Sequence, residues 1–179
     1  MAVVSLKTGT TNADGLRVYY GVDEATETRA GQHQLSDGKQ MTEVIIALAS
    51  LPTVASTDAQ IVGDTTVIPD DAIIEKVEVF VLKETTGVNA NLDLGLVSAV
   101  DRSTEIDFNG FLAAADAFNG GTDLGTTTEY VVGTTEAGAL IGTRLTVPGL
   151  ITCSAETADF TAGVIRVRVY WYIPLSGDL

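Results

Sequence analysis

The run Gly163–Ile173 alternates without a slip. Ile165, Val167, Val169, Trp171 and Ile173 fall on one side of an extended chain, and Arg166, Arg168, Tyr170 and Tyr172 fall on the other. A period of two over this length is a half-buried strand, because successive side chains of a strand point to opposite faces. On a helix the same residues would be scattered around the axis. One face of this strand therefore needs a core, and Pro174 closes the run.

Other segments repeat the pattern. Leu92, Leu94 and Leu96 alternate with Asn91, Asp93 and Gly95, and in Ala72–Glu84 the valines 77, 79 and 81 alternate with Glu78, Phe80 and Leu82. Met41–Ser50, Ala139–Val147 and Leu150–Ala155 are further strand candidates. Pro69-Asp70-Asp71 and Gly87–Asn91 carry the residues of turns between them. One short helix is predicted over Phe111–Phe118, capped by Asp107 or Asn109 and stopped by Asn119-Gly120-Gly121. No period of 20–50 residues repeats, so propellers and solenoids are disfavoured. Many short strands, separated by turns and with almost no helix, predict an all-β fold, an antiparallel β-sandwich.

Residues 1–40 read differently. Lys7–Gly15 is small and polar, Asp23–Lys39 is polar with Gly31 and Gly38, and only Leu16-Arg17-Val18-Tyr19-Tyr20 is apolar between them. Such a segment buries little surface by itself, so it is expected to be an extended N-terminal arm, with the sandwich domain over 41–179. Leu16, Val18, Tyr19 and Tyr20 are the arm's candidate contact residues.

Charge and composition narrow the function. The 179 residues hold 10 Lys and Arg against 24 Asp and Glu, a net charge of −14, which repels phosphate backbones and argues against nucleic-acid binding. Cys153 is the only cysteine and His33 the only histidine, so neither a disulfide framework nor a Cys/His zinc site is available. The longest apolar stretch, 44–49, is far short of the roughly 20 residues a spanning helix needs, so no membrane partner is expected. The first residues show neither a charged n-region nor an apolar h-region, and synthesis in a cytoplasm is the expectation.

Catalytic chemistry finds little support. His33 lies in the polar arm, where a triad would lack the rigid placement it needs, and reads as a solvated surface histidine. Carboxylates such as Asp70-Asp71 sit in turns, and a chain with one Trp offers no aromatic-lined cleft for a glycosidase pair, so no enzyme activity is expected. Glu105, Asp107 and Asn109 alternate before Gly110, with Asp116 twelfth from Glu105, which echoes a calcium loop. Glu stands where that loop has its first Asp, and Asp stands where it ends in a bidentate Glu; helix capping by Asp107 and Asn109 is the competing reading. Cys153, between Thr152 and Ser154, is expected to be a buried, unreactive thiol. Arg166, Arg168, Tyr170 and Tyr172 on one strand face are either a contact surface, where these types are enriched, or a sheet face paired internally with carboxylates.

Three stretches together carry a family resemblance: Val67–Val79; Leu92–Val97 leading through Asp101 and Glu105-Ile106-Asp107 to Asn109–Ala114; and Gly142–Thr146 with the closing run Gly163–Ile173. Over roughly residues 65–175 the chain resembles the capsid decoration, or cement, proteins of tailed bacteriophages. The resemblance implies a jelly-roll-like sandwich, often a homotrimer, bound to the outer capsid surface of the virion, where it would clamp neighbouring subunits of the major capsid protein. It implies no catalytic residues and no cofactor. The charge of −14 suits the outside of a head better than an interior packed with DNA. The alternative is a phage-borne adhesin or carbohydrate-binding module on a jelly-roll fold, for which Tyr19, Tyr20 and Tyr130 are the few available aromatic platforms.

Overall fold

The computed structural model describes residues 21–23, 28–34, 39–51, 59–63, 66–86, 90–112, 129–131, 138–156 and 158–174. Within them run β1 (Gly21–Asp23), β2 (Thr28–Gln34), β3 (Gln40–Ala47), β4 (Gln60–Ile61), β5 (Val67–Ile68), β6 (Ile73–Thr86), β7 (Asn91–Ser98), β8 (Glu105–Leu112), β9 (Glu129–Val131), β10 (Gly149–Glu156) and β11 (Ala162–Tyr172). A single 3-10 turn, Leu48–Ser50, follows β3.

Two antiparallel sheets form. The larger has the order β1-β2-β3-β11-β6-β9, and the smaller β4-β10-β7-β8, with β5 also on β10. Strand β11 is the spine of the larger sheet, registering Val167 against Val44 on one side and Val79 on the other. Its inward side chains Ile165, Val167, Val169 and Trp171 are buried with Val44, Ile46, Val77, Val79 and Val81. From the smaller sheet come Leu92, Leu94, Leu96, Ile151, Cys153 and Ala155, and all join one apolar cluster between the sheets. The fold is an all-β sandwich. The alternation in β11, β7 and β10 thus sorts core from non-core residues as the sequence predicts.

Trp171 shows how the core treats a polar handle: its buried indole Nε1 donates to Thr42 Oγ1 at 3.0 Å. Without that acceptor a buried donor would stay unsatisfied.

Several expectations need correction. Phe111 and Leu112, expected to open a helix, end β8, with Leu112 registered against Leu94; residues 113–118 of that expected helix lie outside the described residues. Asp107 and Asn109 are strand residues rather than helix caps. Pairing with β7 outweighs the local helix preference of Phe-Leu-Ala-Ala-Ala, since propensity is a weak prior against tertiary contacts.

Ala139–Val147 is not a strand but a chain of turns with one isolated bridge, Arg144 to Ile73. Gly142, at φ +82, reverses the chain, and the segment then laces onto the start of β6 through Gly142 N–Ile74 O at 2.7 Å and Leu145 N–Ala72 O at 2.8 Å. Within the expected arm, residues 28–34 are β2, hydrogen-bonded along β3 in register from Arg29–Ile45 to Gln34–Gln40. Gln32 Nε2 also donates to Val67 O at 2.7 Å. Residues 1–20, and with them Leu16, Val18, Tyr19 and Tyr20, lie outside the described residues.

The smaller sheet is unusual in being enclosed on both faces. Every residue of β7 after Asn91 is buried, and so are residues 149–155 of β10. On the side away from the core, β8 bulges over β7: between Leu94 and Leu96 the partner in β8 jumps from Leu112 to Asp107. The extra residues lie against Gly95, with main-chain atoms of Asp107 and Phe108 occupying the space a side chain would need. A bulge of this kind bends the strand and brings it across its neighbour.

Candidate functional site

The outer face of the larger sheet collects the arginines and tyrosines singled out in the sequence. Cross-strand register arranges them in rows. Arg166 lies between Ile45 and Phe80, Arg168 between Glu43 and Glu78, and Tyr170 between Met41 and Lys76. Strand β2 pairs along β3 and β9 along β6 at the two flanks of these rows. Tyr172 follows at the end of β11, opposite Ile73.

The side chains bind one another. Arg168 Nε donates to Glu43 Oε2 at 2.8 Å, and Arg166 Nε stands 3.7 Å from the same oxygen. Tyr170 Oη donates to Glu78 Oε2 at 2.7 Å, while Lys76 Nζ meets Glu78 Oε1 at 2.6 Å. Lys76 also sits 4.3 Å from the centre of the Tyr170 ring, and the Arg168 guanidinium 4.9 Å from that of Phe80, both within cation–π reach. Arg168 and Tyr170 are thus hydrogen-bonded to Glu43 and Glu78 within the sheet, and Arg166 forms a longer ion pair with Glu43.

The electrostatics follow from those contacts. Burial pushes the Glu78 carboxyl upward, but hydrogen bonds from Lys76 and Tyr170 and the charges of Lys76 and Arg168 outweigh it, so its pKa lies below the ordinary value. Burial and then the Glu78 carboxylate push the Tyr170 hydroxyl up to about 12. For Arg168, burial works against the charged form, yet the hydrogen bond and charge of Glu43 leave it more firmly protonated than usual.

Glu43, Lys76, Glu78 and Phe80 were not singled out in the sequence. The one available signal was the alternation of Glu78 and Phe80 opposite the valines of β6; nothing local linked them to residues some 90 positions away in β11.

Pairing leaves the face with an excess of positive charge. Lys76, Lys83, Arg166 and Arg168 occupy it against Glu43 and Glu78. Among the described residues, four of the chain's 10 basic side chains thus meet two of its 24 acidic ones. The adjoining Lys39–Glu75 ion pair, 2.6 Å, adds no net charge.

The calcium spacing is only partly visible. Glu105, Asp107 and Asn109 alternate along β8, whereas Asp116 lies outside the described residues. Glu105 Oε1 accepts from Phe108 N at 3.3 Å and Asp107 Oδ1 from Asn109 N at 3.2 Å, so these carboxylates serve the bulged backbone. Burial, with Glu105 nearby, raises the Asp107 pKa above the ordinary value despite the Asn109 amide. Among the described residues no three His, Cys, Asp or Glu side chains gather as metal ligands. Cys153 is buried, and burial followed by the neighbouring Asp93 charge pushes its thiol far up, which makes it inert at neutral pH. His33 lies in β2 opposite Met41, and Asp71 is a turn residue bound by Arg144 at 2.9 Å. No helix among the described residues is long and apolar enough to cross a membrane.

Comparison with family models, with curated proteins and with solved structures gave no match.

Proposed function

We propose that this chain is a non-catalytic virion protein, a decoration or cement protein of a tailed-phage head, that holds neighbouring major-capsid subunits together from outside. The observation carrying the reading is the outer face of the larger sheet. In a chain of charge −14 it concentrates four basic residues, Lys76, Lys83, Arg166 and Arg168, with Tyr170, Tyr172 and Phe80 on one sheet face. Such a face suits a complementary acidic protein surface, and the remaining acidic surface disfavours wrong partners. The resemblance of residues 65–175 to cement proteins supplies the class of partner, a jelly-roll topology and a homotrimeric assembly.

Co-sedimentation with empty, expanded heads tests the reading. The wild-type chain is expected to pellet with heads, and Lys83→Glu combined with Arg166→Glu is expected to weaken binding at least tenfold with unchanged circular dichroism. Light scattering is expected to give about 56 kDa, three times 18.7 kDa. Failure to bind heads, together with retention on a glycan array, would replace this reading with a carbohydrate-binding module.

A further inference from the structure

The outer face of the larger sheet divides into two halves along β11. Towards the end of that strand the charges are answered within the sheet: Arg168 by Glu43, and Lys76 and Tyr170 by Glu78. Towards its start they are not. Arg166 Nε is enclosed and has no hydrogen-bond partner; it stands 3.7 Å from a Glu43 oxygen that Arg168 already binds at 2.8 Å. Lys83 is exposed and makes neither an ion pair nor a hydrogen bond among the described residues. One carboxylate therefore serves two guanidiniums, and the Lys83 ammonium has none.

A register shift brings the two under-paired cations together. Between Ile165 and Val164 the partner in β6 jumps from Val81 to Lys83, so Leu82 is an extra residue on a bulged strand. Bulges re-aim side chains, and here Leu82, 39% exposed, and Lys83 are both open to solvent. Val164, opposite Lys83, lies two residues from Arg166 on the same side of β11, and Phe80 is registered against Arg166 itself. At about 3.3 Å per residue and about 4.8 Å between strands, the backbones of Arg166 and Lys83 are about 8 Å apart. Phe80, Leu82 and Val164 occupy the register positions between and beside them.

An apolar centre flanked by Arg and Lys with unused donors is chemistry for a protein surface that carries carboxylates next to apolar side chains. A bare polyanion would leave the apolar part unused and would meet the net charge of −14 on the whole chain. Arg166 is the stronger anchor of the two, because a planar guanidinium can take a carboxylate in two parallel hydrogen bonds. Resting on the decoration reading above, we infer that Arg166 and Lys83, with Phe80, Leu82 and Val164, form the contact patch for the capsid, and that the capsid surface opposite presents two carboxylates beside an apolar side chain. Arg168, Lys76 and Tyr170 hold the neighbouring half of the sheet together and leave the partner to this patch.

Co-sedimentation with empty, expanded heads, using neutral substitutions rather than charge reversals, tests this. Arg166→Gln/Lys83→Gln is expected to weaken binding at least tenfold, and Leu82→Ser about threefold. Arg166→Lys, which keeps the charge and loses the fork, is expected to weaken it several-fold. Lys39→Gln/Arg144→Gln removes the same two charges from ion pairs elsewhere and is expected to change binding less than twofold. A second measurement needs neither heads nor a variant: acetyl-Glu-Leu-Glu-amide, titrated into the labelled wild-type chain, is expected to shift the Arg166 Nε–H resonance in NMR and leave that of Arg168 in place. Heads that bind wild type and Arg166→Gln/Lys83→Gln equally would overturn the patch while the decoration reading stands. An equal loss in Lys39→Gln/Arg144→Gln would also overturn it, since recognition would then follow overall charge. A wild-type chain that ignores heads would remove the decoration reading and the capsid as occupant; the peptide would then decide the patch alone, a shift at Arg166 supporting a carboxylate-reading surface and no shift ending it. A fall in native mass in Arg166→Gln/Lys83→Gln would put a second copy of this chain on the patch in place of the capsid.

Discussion

Gly95→Ala probes the contact on which the smaller sheet is built. A Cβ added at residue 95 would come within 2.5 Å of Phe108 O, and closer still to Asp107 O and Phe108 C, where real Cβ atoms essentially never approach within 3.0 Å. All three obstacles are main-chain atoms of the bulge in β8. That strand is held to β7 at Leu96–Asp107 and Val97–Glu105, so relief requires moving backbone by at least about 1 Å and straining these pairs. Overpacking costs typically about 1–3 kcal/mol where side chains can adjust, and a backbone obstacle puts this substitution at about 3 kcal/mol. For a domain of this size that is a fall in Tm of about 6–12 °C. Gly142→Ala is the matched control. Gly142 has φ +82 but nothing within 4 Å of the added Cβ, so only the backbone conformation resists, at about 1–2 kcal/mol. Urea unfolding of both variants, with m unchanged, gives the two costs. A Gly95→Ala variant no less stable than Gly142→Ala would refute the close approach of β8 to β7.

Three further outcomes are expected. Thr42→Val removes the acceptor of the buried Trp171 Nε1 and is expected to cost about 1–3 kcal/mol in urea unfolding, with much of it regained in Thr42→Val/Trp171→Leu; additive losses would contradict the bond's role. Tyr170, raised to about 12 in the folded chain, favours folding fully below pH 10, and this contribution is lost as pH rises from 10 through about 12; absorbance titration of the wild type against Tyr170→Phe should show the late-titrating phenol missing in the variant. Asp101 accepts from Thr104 Oγ1 and from the amides of Thr104 and Ser103, which hold its pKa at about 2. The turn before β8 therefore keeps this contribution above pH 3.8 and loses it as pH falls through about 2; carboxyl NMR showing Asp101 titrating near 3.8 would remove it.

The outer face of the larger sheet shows where reading a sequence stops. Arg166, Arg168, Tyr170 and Tyr172 share one face of β11 because alternation is a property of a single extended strand. Whether they were free or paired was open, since Glu43 lies 125 residues before Arg168 and Glu78 lies 92 before Tyr170. The errors have the same origin. Phe111-Leu112 looks helical until Leu112 meets Leu94, and Ala139–Val147 looks extended until Gly142 turns it back onto β6.

By itself the sequence determined that this protein is built of strands, and which side chains of β7, β10 and β11 share a face, because a period of two depends only on neighbouring residues. Only the tertiary structure decided which strands lie side by side, that Arg168 and Tyr170 are bound by carboxylates, and that the polar side of β7 and β10 is shut away from water. Those features depend on register and coverage between segments far apart in the chain, and the roof over Gly95 exists only once β8 has folded across β7.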